Sequence, residues 1–154
     1  RWGFSQMTRE QDDLYWNYAV SRFSAFANVW WSLANEYDLM QHKTLDDWEH
    51  YATILCEKDP YHHMRSIHNC ISLYDFSKPW ITHCSVQRTD LYKSAECTNE
   101  LRDRYRKPVV LDEIAYEGDI QHGWGNLTGE EMLRRFWGSC LQRWLSWPRR
   151  NLFK

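Results

Sequence analysis

The sequence has almost no excess charge of either sign: 19 Lys and Arg stand against 21 Asp and Glu, for a net charge of −2. This balance gives no electrostatic reason to expect a nucleic acid or an anionic membrane as partner. No CxxC pair occurs, and the five cysteines (Cys56, Cys70, Cys84, Cys97 and Cys140) are odd in number. That argues against a disulfide framework and against a structural zinc site. Buried thiols fit better and favour a reducing, cytoplasmic compartment. No apolar run approaches the length of a membrane span, and no secretory leader is visible. The chain begins at Arg1, in what reads as a loop, so a leader upstream and secretion stay open. No GxGxxG or P-loop follows any candidate strand, which disfavours a nucleotide site.

Aromatic residues, by contrast, are abundant. They make up 16% of the chain and include 10 Trp among 154 residues. An indole needs a large cavity and a partner for its N–H. A Trp-rich core and a sugar site, in which indole faces stack on pyranose rings, explain this load equally well.

Thr8-Arg9-Glu10-Gln11 reads as a capping box opening a helix. Leu14, Tyr18, Phe23 and Phe26 then recur at near-helical spacing to about Ala27. Residues 28–34 (NVWWSLA) read as a buried strand. Thr44 opens a second helix with Leu45, Trp48, Ala52 and Leu55 on one face. Residues 66–70 (SIHNC) and 80–86 (WITHCSV, after Pro79) read as two further strands. A helix follows from about Asp90, with Leu91, Ala95 and Leu101 on one side. Residues 109–114 (VVLDEI) form the clearest strand. After a loop from Ala115 to Leu127, Thr128-Gly129-Glu130-Glu131 caps a last helix through Met132, Leu133 and Phe136. Such alternation predicts parallel strands joined by helical crossovers. Both an open doubly wound sheet and part of a closed barrel accommodate it.

In parallel α/β folds the chemistry sits at the C-terminal ends of strands. The first strand ends in Asn35-Glu36-Tyr37-Asp38 and the fourth in Asp112-Glu113-Ile114-Ala115-Tyr116. Two carboxyl groups facing one pocket are the minimum for glycoside hydrolysis: one protonates the leaving oxygen and the other attacks the anomeric carbon. Either Glu alone is better explained by a helix N-terminus; the pair favours catalysis.

Residues 28–38 (NVWWSLANEYD) resemble the strand-4 motif of clan A glycoside hydrolases, which ends in an Asn-Glu pair. Residues 107–119 (KPVVLDEIAYEGD) are similar to their strand-7 segment. The stretches RWGFSQM, RSIHNC and WITHCSVQ also have counterparts in bacterial glycosidases with DUF5060, DUF4038 and DUF5605 domains. The resemblance covers about Arg1 to Trp137. It implies a partial (β/α)₈ TIM barrel incomplete at both ends, with strands 4 to 7 present. It further implies a retaining O-glycoside hydrolase acting on a polysaccharide or oligosaccharide without metal or organic cofactor. Glu36 becomes the acid/base and Glu113 the nucleophile, with carboxyls ~5–5.5 Å apart. Asn35 matches the residue that holds the sugar 2-hydroxyl, where a bond tightening in the transition state raises the rate.

Several further residues are candidates for the substrate site. His68 and His83, near strand ends, could bond sugar hydroxyls or could be satisfied core histidines. Tyr116 could orient Glu113. Tyr37, Trp80 and Trp124 could stack on substrate or pack in the core. His62-His63 reads as solvated, and Glu117 and Asp119 as outer-layer or surface groups. Two alternatives stand beside the glycosidase. One is a carbohydrate-binding or interaction fragment without catalysis. The other is a metal-dependent barrel hydrolase using His68, His83 and a carboxylate, against which no HxH pair is found. The residues leave oligomeric state open.

A full barrel takes about 250 residues. The expected division is therefore a partial catalytic domain over 1–140 and an aberrant tail over 141–154. Relatives implied by the resemblance carry Gly-Gly-Tyr-x-Gly-His-Gly-Glu-Thr-Tyr in the tail region. Read one base later, every Trp codon yields Gly, and Trp144 and Trp147 fall at the second and third Gly. Arg143, Leu145, Pro148, Arg149, Arg150 and Asn151 permit Gly, Tyr, His, Gly, Glu and Thr. A frameshift between about Phe136 and Gln142 is the expectation; codons unable to encode this stretch would remove it. A four-strand piece leaves sheet edges and apolar surface uncovered, so poor stability and little activity are expected of it alone.

Overall fold

The computed structural model describes residues 3–87, 94–121 and 125–145. The chain forms two compact units, Arg1–Cys84 and Ser85–Lys154. In chain order the elements are α1 (Arg9–Phe23), β1 (Trp31–Ser32), α2 (Leu45–Lys58), β2 (Arg65–Ser66), β3 (Cys84–Gln87), α3 (Ser94–Tyr105), β4 (Val109–Glu113) and α4 (Gly129–Leu145). Short 3₁₀ turns lie at Phe4–Gln6 and Tyr37–Leu39. This is the predicted alternation of a mixed α/β fold. Among the described residues the strands pair as β1 with β2, in parallel, and as β3 with β4.

Local chemistry explains the helix starts. Thr8 accepts from the Gln11 N–H, and the Gln11 side chain returns a bond to the Thr8 N–H. Thr44 and Asp47 form the same reciprocal box at α2. Each box satisfies two main-chain donors that the first helical turn leaves without partners. At α4 only half the box forms. The Glu131 N–H donates to Thr128 Oγ1 at 3.2 Å, while the Glu131 carboxylate binds Arg134 and Arg135 instead.

The first unit is organised around α1 and α2. Trp16, Ala19 and Val20 of α1 are buried, as are Trp48, Tyr51, Ala52 and Leu55 of α2. Trp16 stacks on Tyr51 at 5.9 Å, and Trp48 meets Tyr51 edge-on at 5.7 Å. The apolar residues expected along α1 are not its buried face: Leu14, Tyr18, Phe23 and, just beyond the helix end, Phe26 are all more than half exposed. The helix buries Asp12 instead, which pairs with Lys43 and accepts from the Tyr51 hydroxyl. A buried carboxylate is tolerable only when paired and hydrogen-bonded, and here both partners come from outside α1. Leu45, expected on the inner face of α2, is also exposed.

The strands are shorter than their apolar runs suggested. Of residues 28–34 only Trp31–Ser32 are strand, and of residues 66–70 only the first lies in β2. Main-chain pairing nevertheless continues. The Leu33 N–H donates to the Ser66 carbonyl, and the Thr82 N–H donates to the Arg65 carbonyl. β3 begins four residues later than expected, at Cys84, and all its residues are buried. In the second unit β4 ends at Glu113, as expected to within one residue, and α3 and α4 pack against one another. The predicted start of α3 near Asp90 lies outside the described residues, as does Leu91; Leu101 is buried. α4 runs unbroken through Leu145, past the expected division at 140/141. No disulfide joins the five cysteines, and among the described residues no helix is long and apolar enough to cross a membrane.

Candidate functional site

Glu36 sits where the first segment departs from a regular parallel ladder. The His68 N–H donates to the Ala34 carbonyl at 3.2 Å, and the Tyr37 N–H donates to the His68 carbonyl at 2.9 Å. From Leu33 to Tyr37 the first segment therefore uses four residue steps where its neighbour, Ser66 to His68, uses two. The surplus bulges the chain outward at Asn35 and Glu36. Glu36 adopts a left-handed conformation, φ 52° and ψ 55°, and precedes the Tyr37–Leu39 turn. For a residue with a Cβ this costs roughly 1–2 kcal/mol and persists only where the surroundings fix it. Asn35 is exposed and Glu36 half-buried.

Asp38 supplies one such fixture. Its Oδ1 accepts from the Cys70 N–H at 2.6 Å, and its Oδ2 from the Ile71 and Ser72 N–H groups at 2.7 Å each. Desolvation pushes this carboxyl toward protonation, but the main-chain donors outweigh it and hold its pKa below the ordinary value. No special role for Asp38 was visible in the sequence. Its partners are backbone groups 32 to 34 residues away, which no side-chain pattern reports.

Tyr37 is half-buried and meets Tyr74 edge-on at 5.1 Å. Trp80 is 8% exposed, and its indole N–H donates to Glu49 Oε2 at 3.1 Å. The core-packing alternative therefore describes Trp80. His68 and His83 are each 4% exposed. His83 Nδ1 lies 3.0 Å from Thr82 Oγ1, and its ring packs 5.3 Å from that of Trp30. His63 corrects the reading of His62-His63 as solvated. His62 is exposed, but His63 Nδ1 pairs with Asp59 at 2.9 Å and its side chain is 9% exposed. The same Asp59 accepts from the Trp31 indole at 3.0 Å, so the pair anchors β1 to the end of α2.

In the second unit Glu113 is the last residue of β4 and is half-buried. The Tyr116 hydroxyl donates to Glu113 Oε1. Between them Ala115 is buried and left-handed, with φ 73°. That conformation turns the chain so that the ring three positions on reaches back to the carboxylate. Arg135 of α4 holds the same turn from behind: buried to 3% exposure, it donates through Nη1 to the Ile114 carbonyl at 2.6 Å and through Nε to Glu131 at 2.9 Å. Arg135 too was not anticipated, because its acceptor is a main-chain carbonyl. One residue before the candidate nucleophile, Asp112 Oδ2 accepts from the Ser85 hydroxyl of β3 at 2.6 Å. Glu117 and Asp119 are exposed, and Trp124 lies outside the described residues. Among the described residues no group of three or more His, Cys, Asp or Glu is arranged to hold a metal ion.

The family model described as "Apiosidase-like, catalytic domain" matches residues 1–142. The chain belongs to the apiosidase-like family. A solved structure of a candidate glycoside hydrolase from Bacteroides vulgatus ATCC 8482 is similar to this apiosidase-like chain, with a TM-score of 0.85 and 39% sequence identity. The similarity covers 92% of this chain and 28% of that one, so the apiosidase-like chain spans little more than a quarter of the protein it resembles. No curated protein matches it.

Proposed function

We propose that the chain carries the catalytic carboxyl groups of a retaining O-glycoside hydrolase, within the strand-4 to strand-7 part of a (β/α)₈ barrel. Glu113 is the nucleophile and Glu36 the general acid/base. In the first step Glu113 attacks the anomeric carbon while Glu36 gives its proton to the departing glycosidic oxygen, leaving a glycosyl ester on Glu113. In the second, Glu36 takes a proton from water as that water attacks the same carbon and releases Glu113. No cofactor enters either step.

The observation that carries this reading is the setting of Glu113. It ends a strand, accepts a hydrogen bond from Tyr116 and precedes a strained turn braced by a buried arginine. A carboxylate meant to attack one atom needs such pre-orientation. Asn35, exposed beside Glu36, is the candidate for the sugar 2-hydroxyl. Tyr37, His68 and His83 are proposed to line or support the sugar site, and Tyr116 to orient Glu113.

The substrate is proposed to be a polysaccharide or oligosaccharide, and the family's name makes an apioside the first glycoside to try. In the protein expressed from the complete reading frame, Glu113→Gln should lower turnover by at least about 10³-fold while sugar binding measured by calorimetry persists. Unchanged turnover would refute the assignment of Glu113.

A further inference from the structure

We propose that Asp38 is a positioning residue for the acid/base Glu36: its carboxylate ties the turn that carries Glu36 to the main chain of Cys70–Ser72. The inference rests on the reading of Glu36 as acid/base and adds a residue to it. The conformation of Glu36 needs support from its surroundings. It is left-handed without being glycine, its side chain makes no cap bond to the turn that follows, and that turn is only three residues long. Local bonds within the turn, such as Leu39 N–H to the Glu36 carbonyl at 3.0 Å, do not tie it to the rest of the unit.

The ties to the neighbouring segment include the Tyr37 N–H on the His68 carbonyl and the His68 N–H on the Ala34 carbonyl, and three more converge on the Asp38 carboxylate. Both oxygens of Asp38 are used, and the three donors are consecutive N–H groups, a concave arrangement that suits an anion. Removing the carboxylate removes three bonds at once, and the backbone at Glu36 should then relax toward right-handed conformations. The Glu36 carboxyl would swing with it. A proton donor displaced by about 1 Å loses much of its effect, so the defect should appear specifically in protonation of the leaving group.

That specificity supplies the test. Aryl glycosides of the sugar that the full-length enzyme turns over are prepared with leaving groups from dinitrophenol, which departs without a proton, to phenol, which needs one. Glu36→Ala should lose little kcat/KM on the dinitrophenyl substrate and about 10²-fold or more on the phenyl substrate, the usual scale of general-acid catalysis. Asp38→Ala and Asp38→Asn should show the same trend, with losses under about 3-fold on the first and about 10-fold or more on the second. A uniform loss across the series for the Asp38 variants, beside a graded loss for Glu36→Ala, overturns the positioning role and leaves the acid/base reading standing. A uniform result for Glu36→Ala overturns that reading itself. Should the variants fail to fold, amide hydrogen exchange in the wild-type enzyme decides: slow exchange at Cys70, Ile71 and Ser72 supports the clamp, and exchange as fast as in an open loop overturns it.

Discussion

The Tyr116 hydroxyl donates to Oε1 of Glu113 across the left-handed turn at Ala115. A hydrogen bond to a charged acceptor contributes about 1.5–3 kcal/mol. If Tyr116 orients the nucleophile, Tyr116→Phe should lower kcat/KM of the full-length enzyme by roughly 10- to 100-fold, with the fold unchanged by circular dichroism. Activity within about twofold of wild type would remove Tyr116 from the account.

Asp59 makes a second prediction, about acid. Burial opposes its charge, but the Trp31 indole, the His63 ring and backbone N–H and the Tyr61 N–H together hold its pKa below the ordinary carboxylate value. A folded-state pKa below the unfolded one means that the contribution is complete above about pH 4 and is lost as pH falls through the folded value. Asp59→Asn should therefore destabilise the protein by about 2–3 kcal/mol at pH 7. The gap to wild type should shrink below about pH 4. Urea denaturation across this range measures both, and a gap independent of pH would contradict the assignment.

The packing of α2 separates two leucines that look alike in the sequence. Leu55 is fully buried, whereas Leu45 is 61% exposed. Leu55→Ala should cost about 2–5 kcal/mol, and Leu45→Ala no more than about 0.5 kcal/mol. Equal costs by urea denaturation would mean that α2 presents a different face to the core.

Glu131 reports on the brace behind β4. Hydrogen bonds from Arg134 and then Arg135 hold its carboxyl at a pKa of about 2. Replacing both arginines with alanine should return its titration, followed by NMR of the carboxyl carbon, toward the ordinary glutamate value of about 4.3. A titration near the ordinary value in the wild-type protein would show that the Arg135 contact to Glu131 is not formed in solution.

The parts of this structure legible in the sequence are those with short-range causes. The boxes at Thr8 and Thr44 are written in neighbouring residues, and β4 is announced by Pro108 before a Val-Val-Leu run. The contact between Tyr116 and Glu113 spans three residues and was anticipated for that reason. What stayed hidden depends on distant partners. The burial of Asp12, and with it the rotation of α1 that exposes Leu14 and Tyr18, requires Lys43 and Tyr51 from beyond that helix. His63 is the exception: its partner Asp59 is only four residues away, but the two meet across the end of α2, where no helical spacing announces the pair. β1 is shorter than its apolar run because the Val29 N–H turns back to the Phe26 carbonyl before it, and past Leu33 the chain pairs around a bulge rather than by a continuous ladder. Asp38 and Arg135 were silent because their acceptors or donors include main-chain atoms, which every sequence possesses.

The account depends most on Glu113 as the group that bonds to the sugar. The direct measurement is mass spectrometry of the full-length enzyme after treatment with a 2-deoxy-2-fluoro glycoside bearing a good leaving group, which slows breakdown of a glycosyl ester. The account predicts one added sugar on the peptide containing Glu113 and none in Glu113→Gln. A label on a different residue, or turnover with inversion at the anomeric carbon and no label at all, would contradict it.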